Sequence, residues 1–382
     1  MTEEALLAVL NGLRRFPNLR SLHLRTVMLS FEVITALRNI NVSVLNLQSS
    51  VECPIEQSVF ENRLPLREFV YDRNMPLSMG QLSASALALF LNPTTLETFF
   101  GAQYRTENIL IALASSPRPF MALKTLHIGV DVMSQEGLIL AFAQCPAIEK
   151  ICLHQHLWDD IDRVCDAPEE TLPSYVLPNL RCYEGPPTFA TFFCKYHSLK
   201  HVTLKLSHPG RSPKFDDPES ICACLGNLGS FVESLDIPGG TLMTEHILST
   251  ISTSFPSMKS LSLNAYPFYA EPFSRIKQVK HALSTAVLPI GLESISLGVK
   301  VEDDFPKQDM LDHVQLCIQA CPGLQIVRIR YGRYPLSKSI VWRRSTMLAE
   351  YGKTGVMRPN IQQLRVEPIC MAGTPTPCSD NL

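Results

Sequence analysis

One pattern limits what this chain can fold into: the fragment L-x-x-L-x-L, in relaxed apolar form, returns thirteen times. It begins at Leu19, Leu22, Leu24 and continues at Val42, Leu45, Leu47, at Leu66, Phe69, Tyr71, and at Leu96 and Phe99. The next copies are Leu123, Leu126, Ile128, then Ile148, Ile151, Leu153, then Leu180 and Tyr183, then Leu199, Val202, Leu204. The last five are Val232, Leu235, Ile237; Met258, Leu261, Leu263; Leu292, Ile295, Leu297; Leu324, Val327, Ile329; and Ile361, Leu364, Val366. First positions lie 19 to 37 residues apart. Two copies lose the third apolar position, to Gly101 and Gly185. The second and third apolar residues are two apart, so they share one face of a short strand, and the residues between them point the other way. Units repeating at this period cannot bury an apolar face alone and must stack on their neighbours.

The spacers supply the second layer. Apolar residues recur at helical spacing over 3–15, 107–114, 134–145, 219–228, 244–253 and 309–320, each with a polar opposite face. A proline often stands just before the strand, as in Phe16-Pro17, Cys145-Pro146, Leu177-Pro178, Phe255-Pro256 and Cys321-Pro322. Proline stops a helix and fixes the turn that follows. Strands of this kind pair in parallel with the helices covering one face. The expected fold is therefore α/β: a leucine-rich-repeat-like solenoid, a horseshoe of about thirteen irregular strand–helix repeats with its parallel sheet on the concave face. It should span residues 1–368, with a disordered Pro/Thr/Ser-rich tail at 369–382. The longer segments 158–178, which is acidic, and 207–218 read as surface loops.

The phrases FPNLRSLHL, CPAIEKICL, FPSMKSLSL and CPGLQIVRI resemble the repeats of F-box/leucine-rich-repeat proteins, and the irregular lengths resemble the divergent set expanded in fungi. The resemblance covers Glu3 to Glu367 as repeat architecture. It implies a repeat surface that holds a substrate, and an F-box that docks on the Skp adaptor of a cullin ubiquitin ligase. The chain departs from that family in two ways. Met1 leads straight into the helix of the first repeat without a Leu-Pro F-box opening, so ligase components are expected as partners only if an F-box lies upstream. The Asn or Cys that follows the last leucine of the fuller repeat is also absent as a ladder: Val27, Ser50, Asn74, Tyr104 and Asp131 stand there.

Composition narrows the function classes. With 46% hydrophobic residues among 382, the chain has ample material for a core. A net charge of −2, from 34 basic and 36 acidic residues, leaves no basic footprint for nucleic acid. No run approaches the roughly 18 to 20 apolar residues that cross a bilayer; Leu138 to Ala143 is as long as they come. The acidic start Met1-Thr2-Glu3-Glu4 is unlike a secretory signal, so a cytosolic or nuclear location is expected, with no membrane association. The twelve cysteines are irregularly spaced and read as buried free thiols, among them Cys145, Cys182, Cys194, Cys222, Cys317 and Cys321.

Chemistry-bearing clusters are few. Phosphate-loop, dinucleotide, nucleophile-elbow and zincin fingerprints are missing, so no catalytic residue, cofactor or metal site is expected. Cys152-Leu153-His154-Gln155-His156 puts three metal-type ligands on one strand face, but a closed zinc site needs a fourth. Cys222-Ala223-Cys224 and Cys317 with Cys321 lack zinc-knuckle spacing. A basic group near the C-terminal end comprises Arg328, Arg330, Arg333, Lys338, Arg343 and Arg344. Arg328 and Arg330 should point to the exposed sheet face, and Arg365, on the next strand, should occupy the register of Arg328. Three guanidinium forks there suit an acidic or phosphorylated segment. His23 and Arg25 hold the matching positions at the other end.

The expected function is protein–protein interaction, with Arg328, Arg330, Arg365, His23, Arg25 and His154 as partner-contacting residues on the concave face. The substrate-recognition region of an F-box-type ubiquitin-ligase receptor fits best. A stand-alone scaffold, or a regulator of an enzyme such as a GTPase, is the alternative, and a metalloenzyme built on residues 152–156 a third.

Overall fold

Each of the thirteen apolar triplets meets a strand, and twelve of these strands begin two residues after the triplet's first position. The structure, a computed structural model, describes residues 2–48, 51–52, 63–72, 82–101, 106–130, 135–155, 172–194, 199–205, 218–237, 244–265, 272–299, 307–331, 338–344 and 365–368. The long segments 158–178 and 207–218 fall largely, and the tail 369–382 wholly, outside them. The chain divides into two units, Met1–Val202 and Thr203–Leu382.

The first unit runs α1(Glu3–Leu13), β1(Ser21–Arg25), β2(Met28–Leu29), α2(Phe31–Arg38), β3(Val44–Gln48), β4(Val51–Glu52), β5(Glu68–Asp72), α3(Ala84–Phe90), β6(Thr98–Gly101) and α4(Thr106–Ala114). It continues with β7(Thr125–Val130), α5(Gln135–Ala143), β8(Lys150–Gln155), β9(Cys182–Gly185) and α6(Pro187–Cys194), and β10(His201–Leu204) stands at the division. Strands β1, β3, β5, β6, β7, β8 and β9 pair in that order, all parallel, and β2 and β4 form a separate parallel pair. The second unit comprises α7(Pro218–Asn227), β11(Ser234–Ile237), α8(Glu245–Ser254), β12(Ser260–Ala265), α9(Pro272–Thr285), β13(Ser294–Val299), α10(Lys307–Ala320), β14(Ile326–Tyr331), β15(Lys338–Arg343) and β16(Arg365–Pro368). In both units the fold is α/β, an open and mostly parallel sheet alternating with helices in a solenoid-like repeat.

The proline punctuation has a clear structural effect. In all five cases the residue before proline accepts a hydrogen bond from the residue three further on: Leu19 N–H to Phe16 (3.1 Å), Ile148 to Cys145 (3.3 Å), Leu180 to Leu177 (3.1 Å), Met258 to Phe255 (3.1 Å) and Leu324 to Cys321 (3.2 Å). Proline sits at the second position of a four-residue turn, where its fixed φ is already right. The donor is the first apolar residue of the triplet. A second pin follows at the start of most of the parallel strands. One backbone carbonyl accepts two successive N–H groups from the neighbouring repeat: Arg20 from Ser43 and Val44 (both 2.9 Å), Lys124 from Glu149 (2.9 Å) and Lys150 (3.0 Å), Lys259 from Glu293 (2.8 Å) and Ser294 (2.9 Å). The side chains of this column alternate in sign in places, giving the exposed pairs Arg67–Glu97 (3.7 Å), Lys124–Glu149 (3.9 Å) and Lys259–Glu233 (2.8 Å). Solvent screening leaves such pairs little energetic weight.

Inward residues of the strands are buried: Leu45, Leu47, Phe69, Leu126, Ile128, Leu261, Leu263, Ile295 and Leu297. In the first unit the core turns aromatic, with Phe69 stacked on Phe90 (5.0 Å) and Phe99 (5.6 Å), and Phe193 against Phe142 (5.7 Å) and Tyr183 (5.5 Å). This explains the two incomplete triplets. A Cβ on Gly101 would lie 2.8 Å from Phe99 Cζ and 2.8 Å from Ile109 Cδ1. One on Gly185 would lie 2.7 Å from the Tyr183 hydroxyl and 2.9 Å from Leu153 Cβ. The large ring at the second position occupies the space of the third. Thr2, Ser30, Ser83 and Thr244 cap α1, α2, α3 and α8 through their hydroxyl oxygens.

The C-terminal end of the sheet departs from the sequence expectation. Strand β15 lies between β14 and β16 and pairs antiparallel with both. Only residues 332–337 separate β14 from β15. A parallel return needs a crossover of roughly a dozen residues or more, so the chain must turn straight back.

Candidate binding face

Because the apolar residues alternate inward, the residues between them form straight rows across the other face of the sheet. In the first unit the central row is His23, Asn46, Val70, Phe100, His127, Cys152 and Glu184, each opposite the next. In the second it is Asp236, Ser262, Ser296 and Arg328. Adjacent strands lie about 4.8 Å apart, so neighbours within a row can touch.

The first unit uses this closeness to build a cluster. Phe100 lies 5.0 Å from His127 and 5.6 Å from His154, ring centre to ring centre, and the two imidazoles stack at 5.6 Å with an angle of 17°. His127 Nδ1 and His154 Nε2 are 3.4 Å apart and share a hydrogen bond. Gly129 is opposite His154 and has no side chain to oppose the lean of that ring toward His127. Cys152 lies fully buried in the same row, its Sγ donating to Glu184 Oε2 at 3.3 Å, and Lys150 Nζ is 3.3 Å from the same oxygen. Burial alone would lower the Lys150 pKa, but Cys152, Glu184 and Cys182 outweigh it and hold the ammonium above its ordinary value. Burial raises the Cys182 thiol, and Lys150 partly offsets that. The covered Cys152 sulfur offers no exposed nucleophile.

His156 lies outside the described residues. Among the described residues no group of three His, Cys, Asp or Glu is placed to hold a metal ion. Cys145, Cys222, Cys224, Cys317 and Cys321 are buried free thiols, as the sequence suggested, whereas Cys182, expected among them, is only half-buried. The Cys194 side chain is outside the described residues.

In the second unit Arg328 is exposed, next to Ser296 in the row. Arg330 is half-buried: it reaches across β13, where Gly298 stands opposite it, and donates from Nη2 to Ser262 Oγ at 3.1 Å. Arg365 is not on the strand next to Arg328. Val341 of β15 intervenes, opposite Arg328 on one side and Arg365 on the other, so both arginines share a row two strands apart. Arg343, exposed and opposite Ile326, takes the adjacent place on the same face. Arg333 lies outside the described residues. His23 and Arg25 are exposed on β1, at the start of the strand order and away from the His127–His154 cluster.

The triplet spacing alone puts Phe100, His127 and Cys152 in one row but does not bring His154 onto His127, because that contact crosses rows. The glycine at 129 was its available signal. No helix among the described residues is long and apolar enough to cross a membrane. No family model matches the chain, and a search of curated proteins likewise finds no match.

Proposed function

We propose that the open sheet face binds a partner protein, and that the chain is the substrate-recognition region of an F-box-type ubiquitin-ligase receptor. One observation supports the reading above others. Side chains of changing chemistry stand in register across the open face, on strands whose opposite face is uniformly apolar. Rows of this kind offer contacts that vary from strand to strand without disturbing the core. The mechanism is proximity: a held substrate meets a charged ubiquitin-conjugating enzyme at raised effective concentration, with no bond chemistry required of this chain.

The test places a photo-crosslinking residue at Ser296, beside Arg328 in the row, in the full chain expressed in cells. A discrete crosslinked protein is expected, lost in Arg328→Glu, whose ubiquitination falls when the chain is depleted. A discrete crosslink with unchanged ubiquitination removes the ligase assignment and leaves the binding face. Crosslinks indifferent to Arg328→Glu remove the binding face as well.

A further inference from the structure

The helical side of the first unit carries a feature that the open-face reading does not use. Between α3 and α4 lies an open groove of about 1080 Å³, with Thr94, Ile111, Ser115, Pro117 and Arg118 exposed along it. Small residues make room for it: Ala84 and Ala88 on α3 and Ala112 on α4. Ser83, Ser85, Asn92, Thr94 and Ser115 bring hydroxyl and amide groups to its lining, Pro93, Ile111 and Pro117 an apolar patch, and Arg63 and Arg118 two cations. No carboxylate lines it among the described residues.

Arg63 is the unusual member. Its guanidinium is half-buried, and burial pushes its pKa below the ordinary arginine value. Its Nη1 donates to the Leu91 carbonyl at 2.7 Å and to Ser116 Oγ at 3.3 Å, and the Ser116 hydroxyl donates in turn to the Arg118 carbonyl at 2.8 Å. These acceptors are neutral, and none of the ion pairs among the described residues includes Arg63. A partly desolvated cation held by neutral groups is costly to keep. The bonds fix one edge of the fork against the wall of a groove that contains a second arginine.

We propose that this groove is a binding site for a phosphate ester of a polyhydroxylated small molecule. Arg63 and Arg118 grip the phosphate, for which guanidinium forks are the fitting donors. The hydroxyl and amide groups suit the polar substituents of such a molecule and Pro93, Ile111 and Pro117 its carbon skeleton; at about 1080 Å³ the groove slightly exceeds the roughly 300–1,000 Å³ of small-molecule sites. The site is separate from the sheet face and stands or falls independently of the partner-binding reading.

The experiment is calorimetric titration of the full chain with glucose 6-phosphate, inorganic pyrophosphate and glucose. Both phosphates should bind and glucose should not. Arg118→Gln should weaken phosphate binding about tenfold or more, the usual weight of a charge-assisted hydrogen bond. Ser115→Glu, which puts a carboxylate into the groove at an exposed position, should abolish it. Arg328→Glu on the sheet face should leave it unchanged. Circular dichroism checks that Arg118→Gln and Ser115→Glu, both on exposed residues, remain folded. Absence of heat with both phosphates, equal binding of glucose, or phosphate binding that survives Ser115→Glu would each overturn the proposal.

Discussion

Replacing Gly101 with alanine tests whether the incomplete triplets are compensated rather than decayed. The new methyl would sit 2.8 Å from Phe99 Cζ, 3.1 Å from Phe99 Cε1 and 2.8 Å from Ile109 Cδ1. Carbon pairs prefer about 3.5–4.0 Å, so each contact is short by several tenths of an ångström or more. The Ile109 methyl is the end of a flexible chain and can shift. The Phe99 ring is fully buried and stacked on Phe69 at 5.6 Å, and has nowhere to go. Overpacking of this kind costs about 1–3 kcal/mol. Phe99→Leu alone should also destabilise, by roughly 1 kcal/mol or more, because it leaves a void. In the Phe99→Leu background, however, the ring atoms that met the methyl are gone, and Gly101→Ala should cost less than about 1 kcal/mol, a coupling of about 1–2 kcal/mol within the range for touching residues. Urea denaturation followed by circular dichroism, with the urea dependence the same for all four proteins, measures the cycle. Two single costs that add to within about 0.5 kcal/mol would show that ring and glycine do not share space, and the reasoning would be wrong.

Ser30 caps α2 by accepting from Val33 N–H at 3.2 Å, donates to Glu3 Oε1 and is buried, so Ser30→Ala should lower stability by about 1–2 kcal/mol, measurable in the same denaturation; a loss below about 0.3 kcal/mol would deny the cap its role. Burial pushes the Cys145, Cys224 and Cys317 thiols from 9.0 up to about 12. The unfolded chain therefore releases these protons first as pH rises. Their contribution is complete below about pH 9 and is lost from there toward about pH 12, at up to ~1.4 kcal/mol per pH unit for each thiol. Denaturation midpoints at pH 8 and pH 10 should fall in the native chain and fall less in Cys317→Ala; parallel declines would refute the assignment.

The strands were legible because their signal is local. Two apolar residues two apart, introduced by a turn-forming proline, fix both the strand and its inward face, and the row from His23 to Glu184 follows by counting. Helices with one apolar stripe, such as α1, α8 and α10, were readable for the same reason. Helices α3 and α6, ASALALF and PTFATFFC, are short and apolar nearly all round, so no stripe marks them. Strand β15 is a short apolar run, Ile340-Val341-Trp342, without the triplet spacing, and nothing local says that it will be inserted between β14 and β16. Hence Arg365 was placed one strand too near Arg328. The α3–α4 groove was illegible because it depends on Arg63 reaching Leu91 and Ser116, 28 and 53 positions along the chain, with three alanines setting its depth.

The paired hydrogen bonds at the start of most parallel strands bear on how such a chain can change over time. One carbonyl holding two N–H groups of the next repeat sets the alignment at a single point, before the strand and away from the helical side. Residues added or deleted in the helical spacer leave that point untouched, whereas a one-residue slip inside a strand would turn its whole apolar set outward. Length drift is thereby confined to the outer layer, where surface loops absorb it at small entropic cost. Spacings as different as the 19 residues from Leu180 to Leu199 and the 34 from Met258 to Leu292 can then coexist in one chain. The open sheet face stays a fixed grid on which single substitutions can explore new contacts, while the helical side is free to gain or lose whole segments.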